Sequence, residues 1–242
     1  MIGVILAAGM AKRLRPLTDN KPKCLLKVGE RTLLERTISA MRRAGITEFV
    51  VVTGYCAGQI RDFIGAMDNG QCHFTFLHNA DYEHNNNIYS LWMAGKVVRG
   101  REFLLMDSDI LCDPAAVCAI ASQPETALAL NRHECGEEEI KVIVDADNRI
   151  TEINKTCNPT DAIGESVGIE RFTAEYSEAL YQELDQMILR EGLIDVFYER
   201  AFERLIPQGH TFRVVDTTSY FSYELDTPED FHKATELMPP GL

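Results

Sequence analysis

Residues 2–7, Ile-Gly-Val-Ile-Leu-Ala, form an unbroken apolar run closed by Gly9. A strand with one face in water alternates apolar and polar side chains, whereas a strand with no polar side chain must be covered on both faces. This run therefore predicts a central strand of a parallel sheet that turns sharply at its end. The rhythm continues in residues 32–43, which carry apolar side chains at helical spacing and stop before Gly45, a C-capping residue. Residues 48–53 read as a strand, 57–67 as a helix, 73–77 as a strand, 88–97 as a helix and 102–106 as a strand. Such alternation predicts an α/β fold, a Rossmann-like three-layer sandwich with a mixed, mostly parallel central sheet.

After Ala127 the pattern changes. Residues 127–131, 141–144, 149–153 and 165–172 read as strands, and 174–190 and 195–205 as helices. A strand pair at 211–215 and 220–224 leads to a last helix opened by Thr227-Pro228-Glu229-Asp230. With no internal repeat and no linker-like tract, one domain over 1–242 is expected, its halves meeting near residue 125.

The chain is acidic, with a formal net charge of −13, yet Lys12, Arg13, Arg15, Lys21, Lys23 and Lys27 crowd one stretch opposed only by Asp19. An acidic surface with one basic cluster argues against nucleic acid as a partner and suits an enzyme that concentrates positive charge on a small anion. The seven cysteines (24, 56, 72, 112, 118, 135 and 157) form no Cys-x-x-Cys pair and no metal-ligand spacing. They read as reduced thiols of a cytoplasmic protein. The apolar start is too short to span a bilayer and has no positive leader, so neither a membrane anchor nor a signal peptide is expected.

A buried strand ending in small residues and opening into a basic loop is the outline of a phosphate cradle. Small residues let backbone N–H groups approach an anion, and Arg13 and Lys23 supply full charges. A P-loop is excluded by the lack of Gly-Lys-Ser/Thr, and a Rossmann fingerprint by Pro16 and Pro22, which oppose an immediate helix. The loop is expected to be long and extended.

The stretch LAAGMAKRLRPLTDNKPKCLL (6–26) resembles the signature LAAGxGxRLxPLTxxxPKxLLxV of the nucleotidyltransferases that make NDP-sugars and CDP-alcohols, and nearly all of it is kept through Val28. One departure is Ala11, where the family usually has glycine. The resemblance implies the nucleotide-diphospho-sugar transferase fold and a reaction in which a phosphate or phosphonate oxygen attacks the α-phosphorus of an NTP and pyrophosphate leaves. It also implies an NTP site from Leu6, Ala7, Ala8, Gly9, Met10, Ala11, Lys12 and Arg13, with Arg13 on the triphosphate and Lys23 at the α-phosphate.

Residues 102–106 deliver Asp107-Ser108-Asp109 at a strand's C-terminal end, where open parallel sheets place ligands. By the resemblance Asp109 aligns with an aspartate that binds Mg²⁺, and Asp107, two residues away, is a second candidate on the same face. Helix capping is the competing reading. Near the other end Glu224 and Asp226 share the same i, i+2 spacing and are expected to complete the Mg²⁺ site, unless Asp226 only caps the last helix.

Residues 79–92, NADYEHNNNIYSLW, resemble the Asn-rich element of the phosphocholine cytidylyltransferase branch, implicating Asn86 and Ser90 in nucleotide binding. The segment 192–198, GLIDVFY, resembles the same branch, where an aspartate and aromatics surround the acceptor's amine; Asp195 and Tyr198, or Phe197, are the counterparts. Choline-binding members usually carry Glu-Trp in the middle segment; here Glu139-Ile140-Lys141 puts Ile140 at the tryptophan position. Lys141 adds a cation for a phosphonate. The expected partners are CTP and a small acceptor, 2-aminoethylphosphonate or phosphocholine. A sugar-1-phosphate nucleotidylyltransferase using UTP or dTTP is the nearest alternative, and a non-catalytic nucleotide-sensing module the alternative of another class. Oligomeric state stays open, a dimer being one option.

Overall fold

The computed structural model describes residues 1–137 and 139–242. In chain order its elements are β1 (Ile2–Ala7), β2 (Lys27–Val28), β3 (Arg31–Thr32), α1 (Leu33–Arg43), β4 (Glu48–Thr53), α2 (Ala57–Met67) and β5 (His73–His78). Then come α3 (Asn87–Val98), β6 (Phe103–Asp107), β7 (Ile110–Cys112), α4 (Pro114–Ala121), β8 (Ala127–Asn131), β9 (Lys141–Val144) and β10 (Ile150–Asn154). The chain closes with β11 (Gly164–Phe172), α5 (Ala174–Asp185), α6 (Glu199–Leu205), β12 (Arg213–Asp216), β13 (Ser222–Glu224) and α7 (Pro228–Leu237).

The main sheet runs β10-β9-β11-β6-β1-β4-β5, with β8 beside β11 and β12 beside β8. β1 lies between β4 and β6, parallel to both, with Ile5 level with Val51 and Met106. Its side chains alternate between two cores. Ile2, Val4 and Leu6 enter the core shared with α3, α5 and α6, while Ile5 and Ala7 enter the one shared with α1, α2 and α4. The all-apolar run is thus explained: both faces are dry, and burial of each large side chain is worth about 1.5–3 kcal/mol. The sheet is mixed because β11 pairs antiparallel with β6 and β8.

Local signals set several boundaries. Thr32 caps α1 by accepting the Glu35 N–H at 3.1 Å, and Thr227 with Asp230 forms a capping box at α7. Asp113, followed by proline, caps α4, so neither Asp107 nor Asp109 is a helix cap. Where β11 passes β6 its register with β8 shifts between Ser166 and Glu170. Gly168 adopts φ +73° there, and a Cβ on it would come within 2.8 Å of Ile110 Cδ1 and 3.0 Å of Asp107 Oδ2. Only glycine lets this bulge approach the end of β6 so closely.

Several expectations are corrected. The segments 211–215 and 220–224 do not pair with each other: β12 joins β8 in parallel, and β13 joins β7 antiparallel as a separate ribbon. The helix expected over 195–205 starts at Glu199, and that expected to Arg190 ends at Asp185, followed by a wider π-turn over Gln186–Arg190. The loop after β1 is not extended throughout, because 3₁₀ turns form at Lys12–Leu14 and Lys23–Leu25. Among the described residues, no helix is long and apolar enough to cross a membrane.

Candidate active site

At the C-terminal ends of β1 and β6 the sheet opens into a cavity of about 510 Å³, a volume suited to a small-molecule ligand. Leu6, Ala7, Ala8, Gly9, Ala11 and Arg13 form one wall, with Asn86 and Ser90 beside them. Met10 and Lys12, also expected here, do not line the cavity, and the Lys12 side chain faces solvent. Ala11 takes φ 45°, ψ 56°, so the family's glycine position is a left-handed one. The strained turn is held by Leu14 N–H and Thr18 Oγ1, which donate to the Ala11 carbonyl at 3.0 and 2.9 Å. Asn86 caps α3 by accepting the Asn87 N–H at 2.8 Å. Ser90 Oγ accepts from Asn79 Nδ2 at 3.2 Å, and Asn79 and Asn85 exchange amide bonds.

The charges converge although they are far apart in sequence. Lys23, in a 3₁₀ turn and 8% exposed, places Nζ 3.0 Å from Asp109 Oδ2 and 2.8 Å from Asp226 Oδ1. Arg13 reaches the other Asp226 oxygen at 2.5 Å. Burial by itself pushes the Lys23 ammonium down, but Asp109 and Asp226 outweigh it and hold it above its ordinary value. The fold achieves this convergence through the β7–β13 ribbon. Glu224 pairs with Ile110, and Leu225 N–H donates to the Asp109 carbonyl at 3.2 Å, so Asp226 arrives beside the turn that carries Asp109. Asp226 does not cap α7; its own N–H donates to Asp230 Oδ2 at 3.1 Å.

Carboxylate oxygens of Asp109, Glu224 and Asp226 lie within 4.8 Å of one another. Burial, then the charges of Asp109 and Asp226, push the Glu224 carboxyl up to about 7. An all-oxygen set of three carboxylates fits a hard divalent cation such as Mg²⁺. Asp107 lines the cavity but stands outside that group: its Oδ2 accepts from Tyr198 Oη at 2.9 Å, and burial, then Asp109 and Glu199, push its carboxyl well above the carboxylate range. Asp107 is thus not gathered with Asp109, Glu224 and Asp226, and its carboxylate is engaged by Tyr198. Asp107 ends a strand while Asp109 sits in the following turn, so the i, i+2 rule for one extended strand does not apply.

At the far end the expected acceptor residues divide. Glu139 and Ile140 line the cavity. Lys141 does not. It is 1% exposed, and its Nζ donates to the carbonyls of Gly136, Glu137 and Glu139 at 2.9, 3.1 and 3.4 Å. Its charge organises its own loop and is not offered to a ligand. Asp195 is exposed and outside the lining, and Tyr198 is buried beneath it. Their neighbours Phe197 and Glu199 face the cavity instead, because the chain here is non-helical until Glu199. Burial pushes the Glu199 carboxyl up to about 7.

Lys155, missed in the sequence, also lines the cavity with its Nζ 5.0 Å from the centre of the Phe197 ring. Its signal was its place just beyond β10, at a strand's end. Glu165 lines the same end and was likewise missed.

Comparison with known proteins bears on family and fold. The CMP-5'-(3-aminopropyl)phosphonate synthase of Streptomyces rubellomurinus is 27% identical over 96% of this chain, which spans only 38% of that relative's length. The choline-phosphate cytidylyltransferase of Streptococcus pneumoniae is 24% identical, with 98% of each chain covered. The solved structure of CTP:phosphocholine cytidylyltransferase from S. pneumoniae superposes with a TM-score of 0.82 at 20% identity, covering 98% of this chain and 99% of that one, and so shares the fold. Residues 2–145 match the family described as Nucleotidyl transferase. With the match extending over more than half its length, the chain belongs to the nucleotidyl transferase family and is an enzyme of that type.

Proposed function

We propose that the protein is a Mg²⁺-dependent cytidylyltransferase joining CTP to a small amine that carries a phosphoryl or phosphono group. The observation that carries this reading is the placement of Lys23 Nζ between Asp109 and Asp226 on the floor of the cavity. The names of two relatives that align with nearly the whole chain support the choice of CTP and acceptor. In this reading residues 1–125 form most of the nucleotide wall and 126–242 most of the acceptor wall.

An oxygen of the acceptor's phosphate or phosphonate attacks the α-phosphorus in line. The bond from that phosphorus to the bridging oxygen breaks, and its electron pair leaves with pyrophosphate. Such chemistry rests on positioning and charge neutralisation. Arg13 and the backbone after β1 hold the triphosphate, while Lys23 neutralises the charge that grows at the α-phosphate. Asp109, Glu224 and Asp226 hold the metal, which when bound draws charge from the phosphate oxygens.

At the acceptor end Glu199 supplies a carboxylate for the ammonium, beside the Phe197 ring over which Lys155 already lies. Trimethylammonium is favoured by a cage of rings, whereas a single ring beside a carboxylate suits a primary ammonium. The acceptor is therefore 2-aminoethylphosphonate or a close homologue in preference to phosphocholine.

Pyrophosphate release measured for each NTP against 2-aminoethylphosphonate, phosphocholine and glucose 1-phosphate tests the reading. The highest kcat/KM is expected for CTP with 2-aminoethylphosphonate. Preference for phosphocholine removes the acceptor assignment, and preference for glucose 1-phosphate with UTP or dTTP removes the reading altogether.

A further inference from the structure

The loop over residues 132–140, which joins β8 to β9, gathers a second set of donor atoms at the rim of the cavity. Ligand atoms of His133, Cys135 and Glu139 all lie within 4.8 Å of one another. His133 Nε2 is 3.5 Å from Glu139 Oε1 and 3.7 Å from Glu165 Oε2. Metal–ligand bonds of about 2.0–2.3 Å arranged tetrahedrally put ligand atoms about 3.3–3.7 Å apart, and the His133–Glu139 separation falls in that range. The donor set is one imidazole nitrogen, one thiol sulfur and one carboxylate oxygen, with Glu165 beside His133 but outside the group. Mg²⁺ prefers oxygen alone, whereas sulfur and imidazole select zinc and its neighbours.

The fold holds these groups together by a means independent of their own chemistry. Lys141 Nζ draws three loop carbonyls inward, curling the chain so that positions 133, 135 and 139 face one point. Glu165 pairs with Asn131 of β8 and Lys141 of β9, and so emerges between the two ends of the loop. The other Glu139 oxygen accepts from Gly136 N–H, which orients the carboxylate toward His133.

We propose that His133, Cys135 and Glu139 form a binding site for one zinc-like divalent ion, distinct from the Asp109–Glu224–Asp226 carboxylates. Binding releases the Cys135 thiol proton to solvent and leaves a thiolate on the metal. The ion fixes the β8–β9 loop and with it the part of the cavity wall that Glu139 forms. Ligand spacing among the cysteines could not show this site, because only one of its three donors is a cysteine.

The test is metal retention, read without substrate, so its outcome is separate from that of the activity screen. Protein stripped with a chelator, incubated with zinc sulfate and desalted is expected to keep one zinc per chain. Cys135→Ser and His133→Ala are expected to weaken zinc binding by more than the about 10-fold already caused by loss of an outer partner, while Asp226→Asn keeps it. With Co²⁺ the wild type is expected to show an intense thiolate-to-cobalt absorption band that Cys135→Ser lacks. Equal zinc retention by wild type and Cys135→Ser, loss of zinc in Asp226→Asn, or a cobalt spectrum without the thiolate band would each overturn the proposal.

Discussion

Replacing Lys23 by alanine separates what the side chain does for the fold from what it does for the reaction. Its ammonium makes two charge-assisted hydrogen bonds, at 3.0 and 2.8 Å. Hydrogen bonds to charged groups contribute about 1.5–3 kcal/mol each when well buried. The Asp109 and Asp226 side chains are 29% and 28% exposed, and Arg13 still pairs with Asp226, so water and Arg13 offset part of the loss. A net destabilisation of about 2 kcal/mol follows, which for a chain of this size lowers Tm by about 4–8 °C.

The kinetic effect is larger. Loss of one preorganised group aimed at charge developing in the transition state costs about 10²–10³ in kcat, or about 2.7–4 kcal/mol. Because that charge develops only as the α-phosphorus reacts, kcat and kcat/KM are expected to fall together. The assay is pyrophosphate release at saturating CTP and 25 °C, well below the lowered Tm, with calorimetry on the same sample. A variant whose Tm falls while kcat stays within about threefold of wild type (far short of the expected 10²–10³) would reduce Lys23 to a structural clamp and refute the reasoning.

Three further outcomes are expected. The Glu199 carboxyl, raised to about 7 from 4.5 by burial, binds its proton more tightly folded than unfolded. Its contribution to stability is therefore complete below about pH 4.5 and is lost as pH rises towards 7, by about 3 kcal/mol in all; Glu199→Gln should flatten that part of the Tm-versus-pH curve, and a variant curve parallel to wild type would count against it. Chelation by EDTA should abolish turnover and Mg²⁺ restore it, and Asp226→Asn should raise the Mg²⁺ concentration for half-maximal rate by at least about 10-fold; turnover undiminished in EDTA would remove the metal assignment. Ala11→Gly should relieve about 1–2 kcal/mol of left-handed strain against about 0.5–1 kcal/mol of added chain entropy, raising Tm by about 1–4 °C; a fall in Tm would contradict the strain at φ 45°.

The parallel half of the fold was legible because its signals are local. The apolar run of β1 has no other stable home than the middle of a sheet, and Gly45 closes α1 by capping chemistry alone. What escaped depends on partners distant in sequence. β7 has three residues, too short for a periodic signal, and the strand read over 220–224 finds its partner there rather than in 211–215. The motif residues Arg13, Lys23, Asp109 and Asp226 were legible one by one, but their meeting required that ribbon. Nothing in the order of residues 136–141 tells that three carbonyls will close on Lys141 while Lys155 takes the cavity. Likewise Tyr198 and Phe197 differ in role only because the regular helix does not begin before Glu199.

The charged floor of the cavity rests on a third, small apolar cluster of Leu14, Val28, Leu33, Leu111, Leu225, Phe231 and Ala234, apart from the two larger cores that clamp the main sheet. It joins the basic loop, β7 and α7, the pieces that carry Lys23, Asp109 and Asp226. A cluster of that size opens at lower free energy than the sheet behind it. The platform is thus expected to loosen while β1, β4 and β6 stay zipped. Faster amide hydrogen exchange at Leu225 than at Val50 is the signature of such a division.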